Sequence, residues 1–277
     1  MVGEAFTIAP GVPVPSTRPG WIYTNITMAI SQIGGFGGAV WTYVRFFGKA
    51  GSTHSARTDL QMRRPRPANA NPSIRAAAPW LVTILATLSF APLLVLSFDL
   101  NALLIPEGSA LAQFARPLED FLEQLTVFML NVDTPLDRVA VVLLMAGLPA
   151  LFEELAFRGV LQPLLIRLTG RPWIGILATA LLFSFIHFQF YGFLPRVLLG
   201  LLFGWIVYRT GSLWPAVLAH FINNTAAVLG SWVTGSIEGS DVAPFSLLGL
   251  ALAAVFTASI IALHRLYSRP DPQLTPR

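Results

Sequence analysis

The chain has 277 residues, of which 54% are hydrophobic and only 12% are charged. Soluble domains carry about 25% charged residues, so this composition excludes an ordinary soluble protein and indicates one embedded in a membrane. The absence of cysteine excludes disulfides and thiolate-bound zinc. The net charge of +4 comes from basic residues clustered in a few segments, and no nucleic-acid-binding motif accompanies them.

The first quarter of the chain predicts a flexible N-terminus, one hydrophobic segment and a basic loop. Residues 1–20 are rich in Pro and Gly, which favours a flexible stretch. Residues 22–47 are apolar but include Asn25, Gln32 and several glycines, so they predict either a membrane span or an interfacial segment. The rest of the unit 21–76 is strongly basic, and the positive-inside rule predicts that it faces the cytoplasm.

Runs of about 20 apolar residues, each long enough to cross a ~30 Å hydrocarbon core, occupy most of residues 77–267. With residues 22–47 they predict about seven spans, or six if that segment does not cross. The further runs are 77–98, 139–168, 172–190, 194–208, 213–233 and 244–266. The predicted fold class is therefore all-α, a polytopic transmembrane helical bundle over 77–267 with a cytoplasmic tail over 268–277.

An acidic stretch, 99–137, separates the first two of these runs. Its middle, 110–131, is amphipathic, which predicts a helix lying along the outer membrane surface. Arg167, Arg171 and Arg209 fall in loops on the opposite side. This alternation predicts an N-terminus outside and a C-terminus in the cytoplasm.

Ionisable residues inside the spans are the candidate functional residues. A charged side chain at the bilayer centre costs at least ~2.5–3.5 kcal/mol, so such residues usually serve a function. The span 139–168 holds Glu153, Glu154 and Arg158. Glu154 and Arg158 have the i,i+4 spacing that favours an ion pair on one helix face. Glu153 is then left without a partner on its own helix and is free for chemistry.

Two later spans carry polar residues at similar depth. His187 closes the run 172–190, and His220 and Asn224 share one face of the run 213–233. With about 1.5 Å of rise per residue and ordinary helix tilt, these groups can meet the acidic pair in one layer. A lone histidine in a span is as often a packed structural residue, and the Glu-Glu-Arg group could instead be a polar clamp or a proton relay.

The candidate residues form three motifs: Glu153-Glu154-x-x-x-Arg158, Phe183-x-x-x-His187 and His220-x-x-x-Asn224. In this order, on separate spans, they resemble the CPBP family (CAAX protease and bacteriocin-processing enzymes, or Abi), which includes the type II CAAX prenyl endopeptidases. The resemblance covers roughly residues 140–235. It implies an intramembrane endopeptidase in which Glu154 and Arg158 hold the first motif in shape.

The resemblance also implies catalytic roles. Glu153 with His187 would activate the attacking water, and His220 with Asn224 would stabilise the oxyanion. These roles match a base, its orienting partner and donors aimed at developing negative charge. There is no His-Glu-x-x-His motif, but two histidines and a glutamate could bind zinc. The resemblance favours a metal-free site with no cofactor.

The expected partners are the lipid bilayer and a peptide or membrane-protein substrate, which can be lipidated, and no nucleic acid is expected. The expected location is a prokaryotic cell (inner) membrane, as an integral protein. Two other functions stay open at this point: a proton-coupled transporter, and a non-catalytic bacteriocin-immunity or scaffold protein. A transporter needs a polar path on both sides of the cluster, and residues 160–168 offer only Gln162 and Arg167.

Overall fold

The computed structural model describes residues 6–9, 12–14, 17–47, 60–65, 77–235 and 244–267. The predicted tail over 268–277 and most of the predicted basic loop lie outside these residues. Helices make up most of the described chain. The predicted all-α fold class is confirmed.

The N-terminal region contains a short hairpin that the sequence analysis did not predict. Strands β1 (Phe6–Ala9) and β2 (Val12–Val14) pair antiparallel. Helix α1 (Arg18–Ser31) follows, and the Thr17 side chain caps it by accepting a hydrogen bond from the Gly20 amide. The chain then continues through a π-helical turn at Gln32–Gly37 into α2 (Gly38–Phe46) without a break in the helix.

Ten further helices lie among the residues that the structure describes. In chain order they are α3 (Ala78–Leu88), α4 (Ala91–Leu104), α5 (Ala110–Leu130), α6 (Pro135–Val142), α7 (Leu148–Glu154), α8 (Gln162–Thr169), α9 (Pro172–Phe185), α10 (Phe193–Thr210), α11 (Trp214–Thr234) and α12 (Leu247–Leu266). The π-helical turns Leu143–Gly147 and Leu155–Leu161 join α6, α7 and α8 into one long helix.

Five helical stretches of the described chain are long and apolar enough to cross a membrane: Ala78–Leu104, Pro135–Thr169, Phe193–Thr210, Trp214–Thr234 and Leu247–Leu266. The predicted spans 22–47 and 172–190 fall outside this set, although Arg18–Phe46 and Pro172–Phe185, which overlap them, are helical. The α9 helix has only 14 residues. The segment Arg18–Phe46 is long, but its glycines and polar side chains lower its hydropathy.

The predicted span 77–98 is longer than the sequence indicated. The helix is interrupted at Ser89 and Phe90, just before Pro92, because proline lacks the amide that an unbroken helix needs there. It then runs on to Leu104. The extension beyond residue 98 accommodates its polar residues, since Asp99 is exposed and Asn101 is hydrogen-bonded inside the bundle.

The segment Arg18–Phe46 runs alongside Pro135–Thr169 over its whole length. Contacts join the two at the start, the middle and the end. They are the paired hydrogen bonds of Arg18 with Asp137, the bond of Gln32 with Glu153, and the bond of Tyr43 with Arg167. The two helices are therefore parallel and cover the same depth, which supports a crossing by the first segment.

Candidate active site

A buried ion pair lies at the centre of the bundle. Glu154 ends α7, Arg158 lies in the π-helical turn that follows, and both side chains are fully buried. Arg158 Nη1 donates to Glu154 Oε1 across 2.7 Å. A guanidinium stays protonated in proteins, and an unpaired buried charge is strongly destabilising. Glu154 is therefore the counter-ion of Arg158, in the i,i+4 pair that the sequence predicted.

Two glycines on α10 let this motif approach closely. Arg158 Nη2 donates to Gly200 O at 3.2 Å, and Gln162 Nε2 donates to Gly204 O at 3.0 Å. A Cβ at Gly204 would lie 2.6 Å from Gln162 Oε1, and one at Gly200 would lie 2.9 Å from Ala180 Cβ. Glycine at 204 therefore leaves room for the Gln162 amide, and glycine at 200 lets α9 pack closely on α10. The two carbonyls accept bonds from donors that are buried.

Glu154 also holds His220. His220 Nδ1 lies 2.9 Å from Glu154 Oε1, and the imidazole stacks on Phe203 with ring centroids 5.3 Å apart. An ionised carboxylate can only accept hydrogen bonds, so Nδ1 carries a proton. The other ring nitrogen, Nε2, is turned toward Glu153. Glu154 therefore links the first and third motifs and fixes the ring orientation of the third.

Glu153 presents one carboxylate oxygen to two histidines. The residue is 4% exposed, and its Oε1 accepts a hydrogen bond from Gln32 Nε2 at 3.0 Å. Its Oε2 has no hydrogen-bond partner among the described residues. That oxygen lies 3.9 Å from His187 Nε2 and 3.9 Å from His220 Nε2. The structure thus brings together one residue from each of the three motifs.

His187 lies outside a helix, which corrects the prediction of one helical span over 172–190. The α9 helix ends at Phe185, and His187 follows in a turn. Its Nδ1 lies 2.7 Å from Phe183 O. A carbonyl only accepts, so Nδ1 carries the proton, and Nε2 of a neutral ring is then an acceptor. A nitrogen lone pair therefore faces Glu153.

Asn101 of α4 fastens the turn that carries His187. Its Nδ2 donates to Phe190 O and Tyr191 O at 2.9 Å each, and its Oδ1 accepts from Leu194 N at 2.8 Å. These bonds satisfy backbone groups that have left the helix. Irregular backbone at membrane depth is tolerated only where such partners exist, so Asn101 explains how the predicted helix can end early.

The amphipathic helix α5 packs against the same turn. Phe114 contacts Phe190 with ring centroids 5.8 Å apart, and the Arg116 guanidinium lies over the Tyr191 ring at 4.6 Å. Burial raises the pKa of the Glu119 carboxyl, and a hydrogen bond from the Tyr191 backbone opposes this rise. The helix that the sequence predicted over 110–131 is therefore docked against the site.

The atoms around Glu153 Oε2 leave a place for a water molecule. A water that hydrogen-bonds to Oε2 and to one imidazole, at about 2.8 Å each, can bridge atoms that are 3.9 Å apart.

Ligand atoms around tetrahedral zinc stand about 3.3 Å apart, so zinc would require the side chains to move closer together. In the part of the chain that the structure describes, no group of three or more His, Cys, Asp or Glu has a metal-site arrangement. Metal analysis of the purified protein tests whether zinc is bound.

Asn224 lies one helical turn beyond His220 on α11. Its Nδ2 is 3.4 Å from Met145 O, which is a long and weak hydrogen bond. Turning this amide toward a bound substrate would break that contact and the 3.3 Å bond that Asn224 Oδ1 accepts from Asn223 Nδ2.

Three polar residues near the site were not identified from the motifs: Gln32, Asn101 and Arg196. Arg196 lies in the first turn of α10, and its charge acts on both His187 and Glu153. The available signal was a polar side chain inside an apolar run. That signal does not indicate which residue the side chain contacts. Gln32, for example, bonds to Glu153, which is 121 residues away in the chain.

Comparison with known proteins agrees with the motifs. The family model described as Type II CAAX prenyl endopeptidase Rce1-like matches residues 135–226. The match contains all three motifs and leaves out the N-terminal segment that carries Gln32. No curated protein and no solved structure matches the chain. The resemblance stated from the sequence is confirmed.

Proposed function

We propose that this chain, which belongs over residues 135–226 to the Type II CAAX prenyl endopeptidase Rce1-like family, hydrolyses a peptide bond with water activated by Glu153 and His187. The chain is an integral membrane protein, with five helices able to cross a bilayer among its described residues. The supporting observation is the oxygen Glu153 Oε2, buried without a hydrogen bond from the described residues and 3.9 Å from two imidazole nitrogens.

The water molecule would lie between two hydrogen-bond acceptors that activate it. Glu153 Oε2 and His187 Nε2 each accept one water proton, which leaves an oxygen lone pair free for attack on a peptide carbonyl carbon. As the carbon–oxygen bond forms, one water proton passes to Glu153. The same proton then passes to the leaving nitrogen as the carbon–nitrogen bond breaks. The second water proton leaves the hydroxyl through His187 and reaches the departing amine. The products are therefore a carboxylate and an ammonium group, and Glu153 and His187 return to their starting forms.

His220 and Asn224 are proposed to stabilise the oxyanion. His220 Nδ1 is committed to Glu154, so Nε2 donates only when the ring carries both protons. Asn224 adds a neutral donor once its amide leaves Met145 O. Donors fixed in advance at this place stabilise the transition state with little reorganisation.

The test is a cleavage assay with purified protein in liposomes. The probes are a farnesylated peptide with its cysteine four residues from the C-terminus and an unprenylated membrane-anchored peptide, with products identified by mass spectrometry. Removal of a general base typically costs about 10²–10⁴-fold in rate, and that loss is expected for Glu153→Gln. The matched control is Glu107→Gln, since the Glu107 side chain is 95% exposed. Undiminished cleavage by Glu153→Gln would refute the proposal.

A further inference from the structure

The two ends of the helical bundle carry opposite charge. Arg167 and Arg171 flank the turn between α8 and α9, and Arg209 lies in the last turn of α10. Arg63 of the predicted basic loop is hydrogen-bonded just beyond α10, at the same end. The acidic stretch 99–137 lies at the other end, between α4 and α6. The positive-inside rule predicts that the basic end faces the cytoplasm and the acidic end faces outward.

The half of the bundle between the site and the basic end is closely packed. Ile176 and Ala180 of α9, Ile206 of α10 and Ala216 of α11 lie in this half, and each is 0% exposed. Four separate positions on three helices thus have no exposed surface. A protein interior packed in this way has few voids as large as a water molecule.

Residues 60–65, here called the strap, cover the basic end. Three hydrogen bonds fasten the strap to the turn between α10 and α11. They run from Leu213 N to Gln61 O (2.9 Å), from Ser212 Oγ to Arg63 O (2.6 Å) and from Trp214 Nε1 to Met62 O (3.1 Å). Leu60 is buried against Gly159, where an added Cβ would lie 3.5 Å from Leu60 Cδ2. The strap therefore extends from this turn to the helix of the first motif.

The site itself lies nearer to the acidic end. The α9 helix begins at the basic end and has 14 residues, so it extends about 21 Å into a hydrocarbon core of about 30 Å. About 24 Å of helix separate Glu153 from Thr169 at the basic end. His187 follows α9 in its turn, and its side chain is 27% exposed. The site is thus deep when measured from the basic end and shallow when measured from the acidic end.

Helix α5 lies across the acidic end from one side of the site to the other. Near its start, Phe114 contacts Phe190 of the turn that carries the second motif, with ring centroids 5.8 Å apart. Its last two carbonyls accept hydrogen bonds from Trp21 Nε1 of α1 and Trp232 Nε1 of α11, at 3.0 Å each. The elements that hold α5 are therefore the ones that surround the site.

The middle of α5 is less buried than its two ends. Ala115 and Met129 lie on one face of the helix and are buried. Leu118, Leu122 and Leu125 lie between them on the same face by the helical repeat, and each is partly exposed. An apolar face that packed on other helices along its whole length would be buried throughout. An opening therefore lies beneath the middle of α5.

We propose that the candidate site opens beneath α5 to the outer side of the membrane and takes a peptide segment that lies outside the cytoplasm. The proposal rests on the proposed peptidase function and narrows its substrate class to exported or membrane-anchored chains. The packed half of the bundle and the strap separate the site from the basic end, whereas the partly exposed His187 and the opening beneath α5 connect it with the acidic end.

Cysteine labelling tests the direction of the opening, because the chain has no native cysteine. His187→Cys places the label at the site and requires no activity. A sulfonated maleimide, which does not cross membranes, is added to right-side-out and to inside-out membrane vesicles. His187→Cys is expected to be labelled in right-side-out vesicles, and this labelling should be lost in inside-out vesicles.

Three threonine-to-cysteine variants are the controls. Thr234→Cys, exposed at the end of α11, should be labelled only in right-side-out vesicles, and Thr169→Cys, exposed at the end of α8, only in inside-out vesicles. Thr179→Cys lies in the packed half of α9 and should be labelled in neither until the protein is denatured. The double variant of His187→Cys with Thr179→Cys should therefore take up one label per folded chain, which shows that the substitution at the site has not opened the bundle.

Labelling of His187→Cys from the cytoplasmic face, from both faces or from neither face would overturn the proposal. The proposed function is judged separately, by adding a membrane-anchored peptide with a highly charged tail to the outside of each type of vesicle, with Glu153→Gln as the background. Cleavage by inside-out vesicles alone would retain the peptidase and reject the outward opening. Labelling from outside without cleavage by either type of vesicle would retain the opening and reject the peptidase.

Discussion

Glu153 and Glu154 are neighbours in sequence with opposite surroundings. Adjacent helical positions point about 100° apart, so the two carboxylates face different parts of the bundle. Glu154 accepts bonds from Arg158 and His220 on one oxygen. Glu153 has one oxygen bonded to Gln32 and the other turned to two imidazoles. One carboxylate is therefore bonded within the structure, and the other is the proposed base.

Gln32 is predicted to be a positioning residue for Glu153. Gln32→Leu removes the donor to Glu153 Oε1, and loss of a hydrogen bond to a charged group typically costs about 1.5–3 kcal/mol. We expect kcat to fall by about tenfold or more with KM little changed, because Gln32 contacts the proposed base and not the substrate. Steady-state kinetics on the cleaved peptide measure both constants.

Ser31→Ala provides the control for that variant. Ser31 precedes Gln32 on the same helix, and its exposed hydroxyl donates only to a backbone carbonyl of its own helix, that of Thr27. Its kinetics should match the parent protein. If Gln32→Leu retained full kcat, the N-terminal helix would have no part in positioning the base.

At the scale of elements, the site depends on where a helix ends. The sequence run 172–190 reads as one apolar helix, yet α9 ends at Phe185 and the next residues form a turn that supplies His187 and Gln189. Asn101, in a helix more than 80 residues earlier in the chain, forms hydrogen bonds with backbone groups of this turn. The irregular turn and its polar anchor therefore belong to one unit.

Asn101→Leu is predicted to loosen this turn. The substitution keeps side-chain size but removes the bonds that Asn101 makes to two carbonyls and one amide of residues 190–194, of which Phe190 O still accepts from Phe193 N. The turn should therefore open to water more often. Hydrogen exchange at residues 186–194 should rise by about tenfold or more, and peptide cleavage should fall with it. Leu103→Ala, at a 75% exposed position of the same helix, should change neither. Unaltered exchange in Asn101→Leu would show that the turn holds itself in place.

At the scale of the whole molecule, the N-terminal helix extends the site beyond the part that matches the family model. Arg18, Gln32 and Tyr43 contact the helix Pro135–Thr169 at its start, middle and end. Parallel helices of the same extent cover the same membrane depth. The first segment is thereby expected to cross the bilayer despite its glycines and polar residues.

Cysteine labelling tests this topology, and the lack of native cysteines makes it clean. Single variants Ala5→Cys and Glu107→Cys should react with an impermeant maleimide added outside the cell. Ser52→Cys should react only after the membrane is permeabilised. Labelling of Ala5→Cys and Ser52→Cys from the same side would mean that residues 18–46 do not cross.

The sequence predicted the helical bundle and the residues of the three motifs because both depend on local patterns. Apolar runs give spans, and the i,i+4 spacing gives the pair of Glu154 and Arg158. It did not predict the partners Gln32 and Asn101, since each joins the site through contacts between distant parts of the chain. It also placed His187 inside a helix, because hydropathy does not register a turn whose polar groups are satisfied by a buried asparagine.

The attack of water held by Glu153 and His187 is tested most directly by a single-turnover cleavage in H₂¹⁸O. If water attacks the peptide carbonyl itself, the new C-terminal carboxylate carries ¹⁸O in the first turnover, and Glu153→Gln forms no product in the same time. A first-turnover product that carries only unlabelled oxygen would contradict the account, because that oxygen would have come from a carboxylate of the protein acting as the nucleophile.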